Sequence, residues 1–422
     1  MMVIGINTVS SQSGRAYCAD FLSRKYSIQG YAHESSNGSQ FVRSINSLGG
    51  IFLDRPANNN NEKKTFFNIE PGIISHDLGR LLERSDYIIL SEPSHYFVSS
   101  IKEMIAEGMD VKKRVPIILS PSRSFASPYL WKILGESYPI VSFSTCPYSC
   151  KAPRPDTAYI KRRKRNWQAS LEGAFSISQI ADLGQLFPQA IFNKMPMTTS
   201  IGNIGAVLHP TTYLLNFERI RSREKGNKPF SFYMEGIYEK PDVGEVLEAI
   251  DQMRLQIANK MGFSVFGLRE NPRESEWKKI MSAIRTNEAI GETIDDVRRI
   301  RREGLKELRH SITSCQHWLD YTYGVERKIG ESLSEAIGRT GTYQKNSIPQ
   351  LRYVIEDVAT GLVPLTMMAR RMGFDTSVAD DILQICERFF PDRDKSNDRT
   401  LEEFSDEYLS DYLCGTFFSI TD

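Results

Sequence analysis

Through about residue 190 short apolar runs alternate with amphipathic stretches. MMVIGI, SIQGYA, DYIILS, VPIILS and YPIVSFS have strand length and end near Ser, Pro, Asn or Gly. GRAYCADFLSRKY and FVSSIKEMIAEG between them space their apolar residues at helical intervals. Parallel strands need crossover connections, so the alternation predicts a doubly wound α/β domain with a mostly parallel sheet over residues 1–195. Beyond about residue 200 the strand texture fades. In DVGEVLEAIDQMRLQIANKMG the residues Val243, Val246, Leu247, Ile250, Met253, Ile257 and Met261 form one apolar stripe, and Gly262 is placed to end the helix. GLKELRHSITSCQHWLDYTYG, EDVATGLVPLTMMARRMG and SVADDILQICERFF repeat that texture, with Pro364 expected to start, kink or split the second of these. An all-helical domain over residues 196–422 is expected to follow the sheet. DRPANNNNEKK and FPDRDKSNDRTLEE read as loops.

The chain of 422 residues is long enough for two or three domains. Its 53 Lys and Arg balance 52 Asp and Glu, which removes overall charge as a reason to bind nucleic acid or an anionic membrane. Small molecules are the better partners, and a homodimer stays open. There is no apolar run of about 18 residues and no secretory-type N-terminus. Six scattered cysteines do not form a disulfide framework, so a reducing, cytoplasmic setting is expected. The run KRRKR at Lys161 to Arg165 is short and reads as a solvated strand face.

Chemistry concentrates in two places. The first is the turn from the first strand into the first helix, VIGINTVSSQSGRAYCADFL, where a Rossmann-like fold sets main-chain N–H groups and a helix N-terminus against a pyrophosphate. With Gly14 as third glycine of the fingerprint, Val9 and Ser11 stand at the first two positions. Ser10, Ser11 and Ser13 are small and offer hydroxyls in their place. About 20 residues on, Glu34 would favour NAD through the ribose hydroxyls, whereas His33 or Arg43 would accept a 2′-phosphate. NADH and NADPH both stay open, and the turn alone is equally compatible with a sheet domain that holds no nucleotide.

The second place is histidine, of which the chain has six. His209 follows Asn203 and two glycines in SIGNIGAVLHPTTYLLN and could exchange a proton near neutral pH; on spacing alone a core or helix-start histidine before Pro210 is the stronger reading. His95, in SEPSHYF, falls at the C-terminal edge of the sheet, where such folds bind ligands. His310 and His317 have no third ligand near them in sequence, so no metal is assigned. RYVIEDV carries Arg352, Glu356 and Asp357, which on their own read as a charge cluster at a helix start.

The EPSH turn at Glu92 to His95, STCPYSCK, NIGAVLHP and RYVIEDVATGLVPL, in this order, resemble the octopine/nopaline (opine) dehydrogenase family over about residues 80 to 385. The resemblance implies a dinucleotide-binding domain followed by a helical domain. It also implies an activity that joins the amine of an amino acid to a 2-oxo acid and reduces the imine with NADH or NADPH. It assigns His209 as the catalytic histidine and Asp357 as its carboxylate, Arg352 to a substrate carboxylate, Asn203, His95 and Lys151 to substrate, and Pro93 to the cofactor turn. Gly205 replaces the second asparagine of the family pattern, and Lys151 stands where many relatives have Arg. The family includes metallophore-making enzymes of the staphylopine type. A simple 2-oxo acid reductase and a non-catalytic binding protein derived from the fold are the competing readings.

Overall fold

The computed structural model of the chain describes residues 2–56, 64–164, 167–263, 265, 318–328, 330–344 and 348–421. Two compact units emerge: one comprises Met1–Ser122, Ala126–Phe192 and Phe417–Asp422, the other Arg123–Phe125 and Asn193–Thr416.

In the first unit the chain runs β1 (Val3–Asn7), α1 (Gln12–Ser23), β2 (Ser27–Tyr31), α2 (Ser36–Leu48), β3 (Gly50–Asp54), β4 (Lys64–Asn68) and β5 (Ile74–Ser75). It continues through α3 (Leu78–Arg84), β6 (Tyr87–Leu90), α4 (Phe97–Ala106), β7 (Ile117–Leu119), α5 (Ala126–Leu134), β8 (Ile140–Phe143), β9 (Tyr148–Arg154) and β10 (Thr157–Arg163). β11 (Trp167–Glu172), β12 (Ala174–Ser176), α6 (Ile177–Leu186) and β13 (Ala190–Asn193) complete the run. Eight strands make one sheet in the order β13-β11-β8-β7-β6-β1-β2-β5. From β8 to β5 all neighbours are parallel, and β11 joins antiparallel. Every residue of β6, β7 and β8 is buried, the mark of a parallel sheet covered on both faces. The strand order reverses at β1, which lies between β2 and β6, so the turn leaving β1 stands at the topological switch point.

A second sheet, β4-β3-β10-β9, was not legible in the sequence. β4 begins at Lys64, inside the stretch read as a loop, and Lys161, Arg162 and Arg163 lie exposed at the end of β10. α1 packs against strands of both sheets, which explains why Gly14 to Phe21 are buried without a break. The all-helical reading of the C-terminal half stops short of the last residues. β14 (Ser419–Thr421) pairs in parallel with β12, and Phe417 and Phe418 anchor it on Trp131 and Phe175.

Among its described residues the second unit is helical beyond Asn193: α7 (Met197–Ser200), α8 (Gly205–Leu215), α9 (Phe217–Lys225), a π turn (Met234–Tyr238) and α10 (Pro241–Lys260). α11 (Trp318–Tyr323), α12 (Leu333–Gly338), α13 (Arg352–Asp357), a π turn (Val358–Leu362), α14 (Val363–Arg371), α15 (Ser377–Phe389) and α16 (Asp406–Leu413) follow. α10 buries Val243, Leu247, Ile250, Met253 and Ile257 of the expected stripe, and Gly262, at φ 73°, ends it. The same helix also buries Asp251 and Arg254, an ion pair of 2.7 Å whose guanidinium donates to the Ile201 carbonyl. Pro364 lies at the start of α14 within a helical run unbroken from Arg352, and the Thr360 carbonyl four residues before it accepts instead from Ser124 N at 2.9 Å. His310, His317 and most of GLKELRHSITSCQHWLDYTYG lie outside the described residues.

Candidate active site

The turn after β1 keeps the geometry of a glycine-rich loop with fewer glycines. A Cβ on Gly14 would lie 2.5 Å from the Thr8 carbonyl oxygen and 2.7 Å from Val9 Cα, so position 14 does the third glycine's work of close helix–strand packing. Val9, at the first glycine's position, turns into the core beside Gly30 of β2, where a Cβ on Gly30 would come within 3.1 Å of its side chain. Thr8 takes the left-handed conformation at φ 56°, fixed by its hydroxyl donating to Glu92 Oε2 at 2.6 Å. Glu92 is buried and also accepts from the Asn7 amide at 2.7 Å; burial pushes its carboxyl pKa up. Ser11 caps α1 by accepting from Gly14 N at 2.9 Å, and Ser13 donates to the Ser91 carbonyl at 2.9 Å. The Ser10 carbonyl accepts from Arg15 Nε at 2.9 Å and from the Asn37 amide at 3.2 Å. Arg15 was missed in the sequence. Its guanidinium, pushed down to about 10 by burial, lies over the Phe41 ring and braces the turn from behind.

The remaining cofactor candidates surround the C-terminal ends of β2 and β6. His33 Nδ1 lies 3.3 Å from the Tyr31 hydroxyl and 3.9 Å from Glu103 Oε1, while Glu34 is exposed. Arg43 donates to the Ser39 carbonyl of its own helix. Pro93 opens the single turn Ser94–Tyr96 that carries His95, whose ring lies tilted 45° to that of Tyr96 with centroids 4.0 Å apart. These residues, with the start of a twelve-residue helix, are the ones that could hold a dinucleotide. Lys151 lies on β9 opposite Tyr159, exposed, in the four-stranded sheet.

The second unit gathers the other candidates. His209 sits one turn inside α8 rather than at its start, and its Nδ1 is 2.8 Å from Asp357 Oδ2 at the end of α13. The Tyr353 ring, four residues before Asp357 and so on the same helical face, stacks on the imidazole with centroids 4.3 Å apart and 17° between planes. Arg352 is exposed beside it, donating Nε to Gln350 at 2.6 Å, with its guanidinium carbon 5.7 Å from the Tyr353 centroid. Asn203 is buried and donates to the Ser124 hydroxyl at 3.3 Å. Asp357 is fully buried and shared. Its Oδ1 lies 3.0 Å from Arg123 Nη2, and Arg123 Nε donates to Glu356 at 3.1 Å. Sequence reasoning missed Arg123 because SPSRSF reads as an ordinary polar loop. No spacing rule links it to a helix more than 200 residues later.

Residues 193–275 and 272–390 match the family of the NAD/NADP octopine/nopaline dehydrogenase alpha-helical domain. The chain is 24% identical over 376 residues to an opine dehydrogenase of Arthrobacter sp. (strain 1C), covering 86% of each. The helical part of the chain, residues 193–390, matches this family, and the chain is similar over most of its length to an opine dehydrogenase. The chain's fold is that of an octopine dehydrogenase solved with NADH and agmatine (TM-score 0.66, 16% identity, 98% of each chain). A yersinopine dehydrogenase solved with NADP+ has the same fold (TM-score 0.56, 11% identity, 99% of this chain and 97% of that one).

Proposed function

We propose that the protein is an NAD(P)H-dependent opine synthase, joining the amine of an amino acid to a 2-oxo acid such as pyruvate or 2-oxoglutarate and reducing the imine. Its class, an NAD(P)-dependent oxidoreductase acting on CH–NH donors, comes with the family. The observation that carries the reading is the His209–Asp357 pair at 2.8 Å. A buried carboxylate only accepts, so Nδ1–H donates to Asp357 and Nε2 is left to exchange protons. At Nε2 His209 accepts a proton from the attacking amine. It then returns one to the carbinolamine hydroxyl as that leaves as water, a role worth about 10²–10⁴ in rate. Arg352 holds a substrate carboxylate with its planar fork, and Asn203, His95 and Lys151 are assigned to substrate on the family resemblance alone.

The nicotinamide supplies the hydride when bound. Ser10, Ser11, Ser13, Gly14, His33, Glu34 and Pro93 hold it, as NADPH or NADH, within residues 1–195, and residues 196–422 supply the catalytic pair. Relatives of the same fold solved with NADH, pyruvate, arginine and agmatine support small-molecule substrates. Among the described residues no helix is long and apolar enough to cross a membrane.

The test is titration of the purified protein with NADPH and NADH, read by intrinsic fluorescence and thermal shift, followed by oxidation assays with oxo acid alone, amino acid alone and both together. Consumption that requires both substrates is expected. Consumption with the oxo acid alone would make the protein an oxo acid reductase, and binding of neither nucleotide would leave a binding protein of this fold.

A further inference from the structure

Arg123 enters the helical unit on a three-residue segment, Arg123–Phe125, excised from the loop after β7. Each of its residues is tied down. Ser124 donates its N–H to the Thr360 carbonyl at 2.9 Å and its hydroxyl to the Ser200 carbonyl at 2.7 Å. Phe125 N donates to the Ser200 hydroxyl at 3.0 Å, and Arg399 donates to the Ser124 carbonyl at 2.6 Å. Arg123 and Phe125 both hold left-handed backbone, at φ 60° and 55°, which residues with side chains keep only where their surroundings enforce it. The guanidinium thus arrives at Asp357 and Glu356 in one orientation, with its side chain 10% exposed. Gly205, on the first turn of α8, leaves it the room: a Cβ there would lie 3.1 Å from Arg123 Nη1 and 3.5 Å from His209 Cε1.

We propose that Arg123 is a positioning residue for His209: it holds Asp357 through Oδ1, so that Oδ2 faces the imidazole in one place, and it sets the proton affinity of His209 through that shared carboxylate. The inference rests on the reading of His209 as the proton carrier. Arg123 takes part of the Asp357 charge that would otherwise stabilise the imidazolium, and adds a positive charge behind it. The elements packed against α8 carry further titratable groups, among them Arg352, Tyr353 and Glu356 on α13, Tyr233 before the first π turn, Glu235 paired with Arg223, the closed Asp251–Arg254 pair on α10 and Cys386 on α15; the remaining charges of α9, α10, α15 and the first π turn are exposed or half-buried. Arg123 is the one cation among them in ion-pair contact with Asp357 in the described structure.

The experiment is histidine ¹³Cε1 NMR titration of the full chain, with His209 assigned by His209→Gln, for the wild type and Arg123→Met. Arg123→Met/Glu356→Gln serves as a second variant, because it removes the buried carboxylate that Arg123→Met strands. The His209 pKa is expected to rise by about one unit, a tenfold change in proton affinity, and the pH profile of kcat/KM to move with it. Arg123→Lys should return part of the shift. An unchanged or lowered His209 pKa in whichever variant folds would overturn the proposal. The titration needs no substrate, so a protein inactive with every amine and oxo acid that still shows the shift would refute the synthase reading and leave this one standing.

Discussion

In the turn after β1 the groups that would face a phosphate are main-chain N–H groups; at His209 the working groups are side-chain atoms. The turn has lost two glycines of the fingerprint, and the losses are absorbed nearby. Val9 is accommodated by Gly30 on the next strand, Thr8 supplies the left-handed residue, and Glu92 fixes Thr8. The backbone path is a product of many contacts and can be reached by several sequences. A proton exchanged at one nitrogen, held by one carboxylate, has no such substitutes. The two regions should therefore respond to mutation in opposite ways: the dyad to the loss of a functional group, the turn to the addition of atoms.

The sharpest break of that contrast is His209→Ala. Turnover should fall by about 10²–10⁴ while nucleotide affinity and Tm hold, as measured by steady-state kinetics beside fluorescence titration. An active variant would remove the dyad from the chemistry. Next comes Gly14→Ala, which adds one methyl group against the Thr8 carbonyl. A destabilisation of about 1–3 kcal/mol in urea unfolding and weakened nucleotide binding are expected, with kcat at saturating cofactor nearly unchanged. A silent Gly14→Ala would mean that the close packing of α1 on β1 is not what shapes the turn.

The smallest effect concerns Glu92. Burial raises its folded pKa above the unfolded value, so its contribution to stability is present in full below the unfolded value, near 4.5, and is lost as pH rises through the folded pKa. Glu92→Gln keeps an acceptor for Thr8 and Asn7 without the charge. It should raise Tm by roughly 1–3 °C at pH 8 and by less at pH 4, checked by thermal scans at both. A gain independent of pH would show that folding does not shift the Glu92 pKa.

Hydrophobic periodicity was enough to read the parallel sheet, its buried strands, α10 and the helical character of the second half, because those patterns follow from which face of an element is buried. It missed the β4-β3-β10-β9 sheet. β4 alternates only between exposed and half-buried positions, and the only apolar residues that β10 buries are Ala158 and Ile160, ahead of three consecutive exposed cations, so neither carries a long apolar alternation. At the site, the resemblance named His209 and Asp357, but spacing alone favoured the blander reading of each. A side chain's role depends on what lies across from it, and Asp357 is 148 positions away from His209.

The chain's own pattern thus determined the doubly wound sheet, the helical half and the place of the turn after β1, since each is encoded in residues close together along the chain. Only the tertiary structure decided that Val9 and Ser11 leave the turn's geometry intact. It alone brought Arg123 onto Asp357 and returned the last strand to β12. Those outcomes rest on contacts between segments far apart in sequence, where space left by one residue, such as Gly30 or Gly205, is filled by another that no local pattern announces.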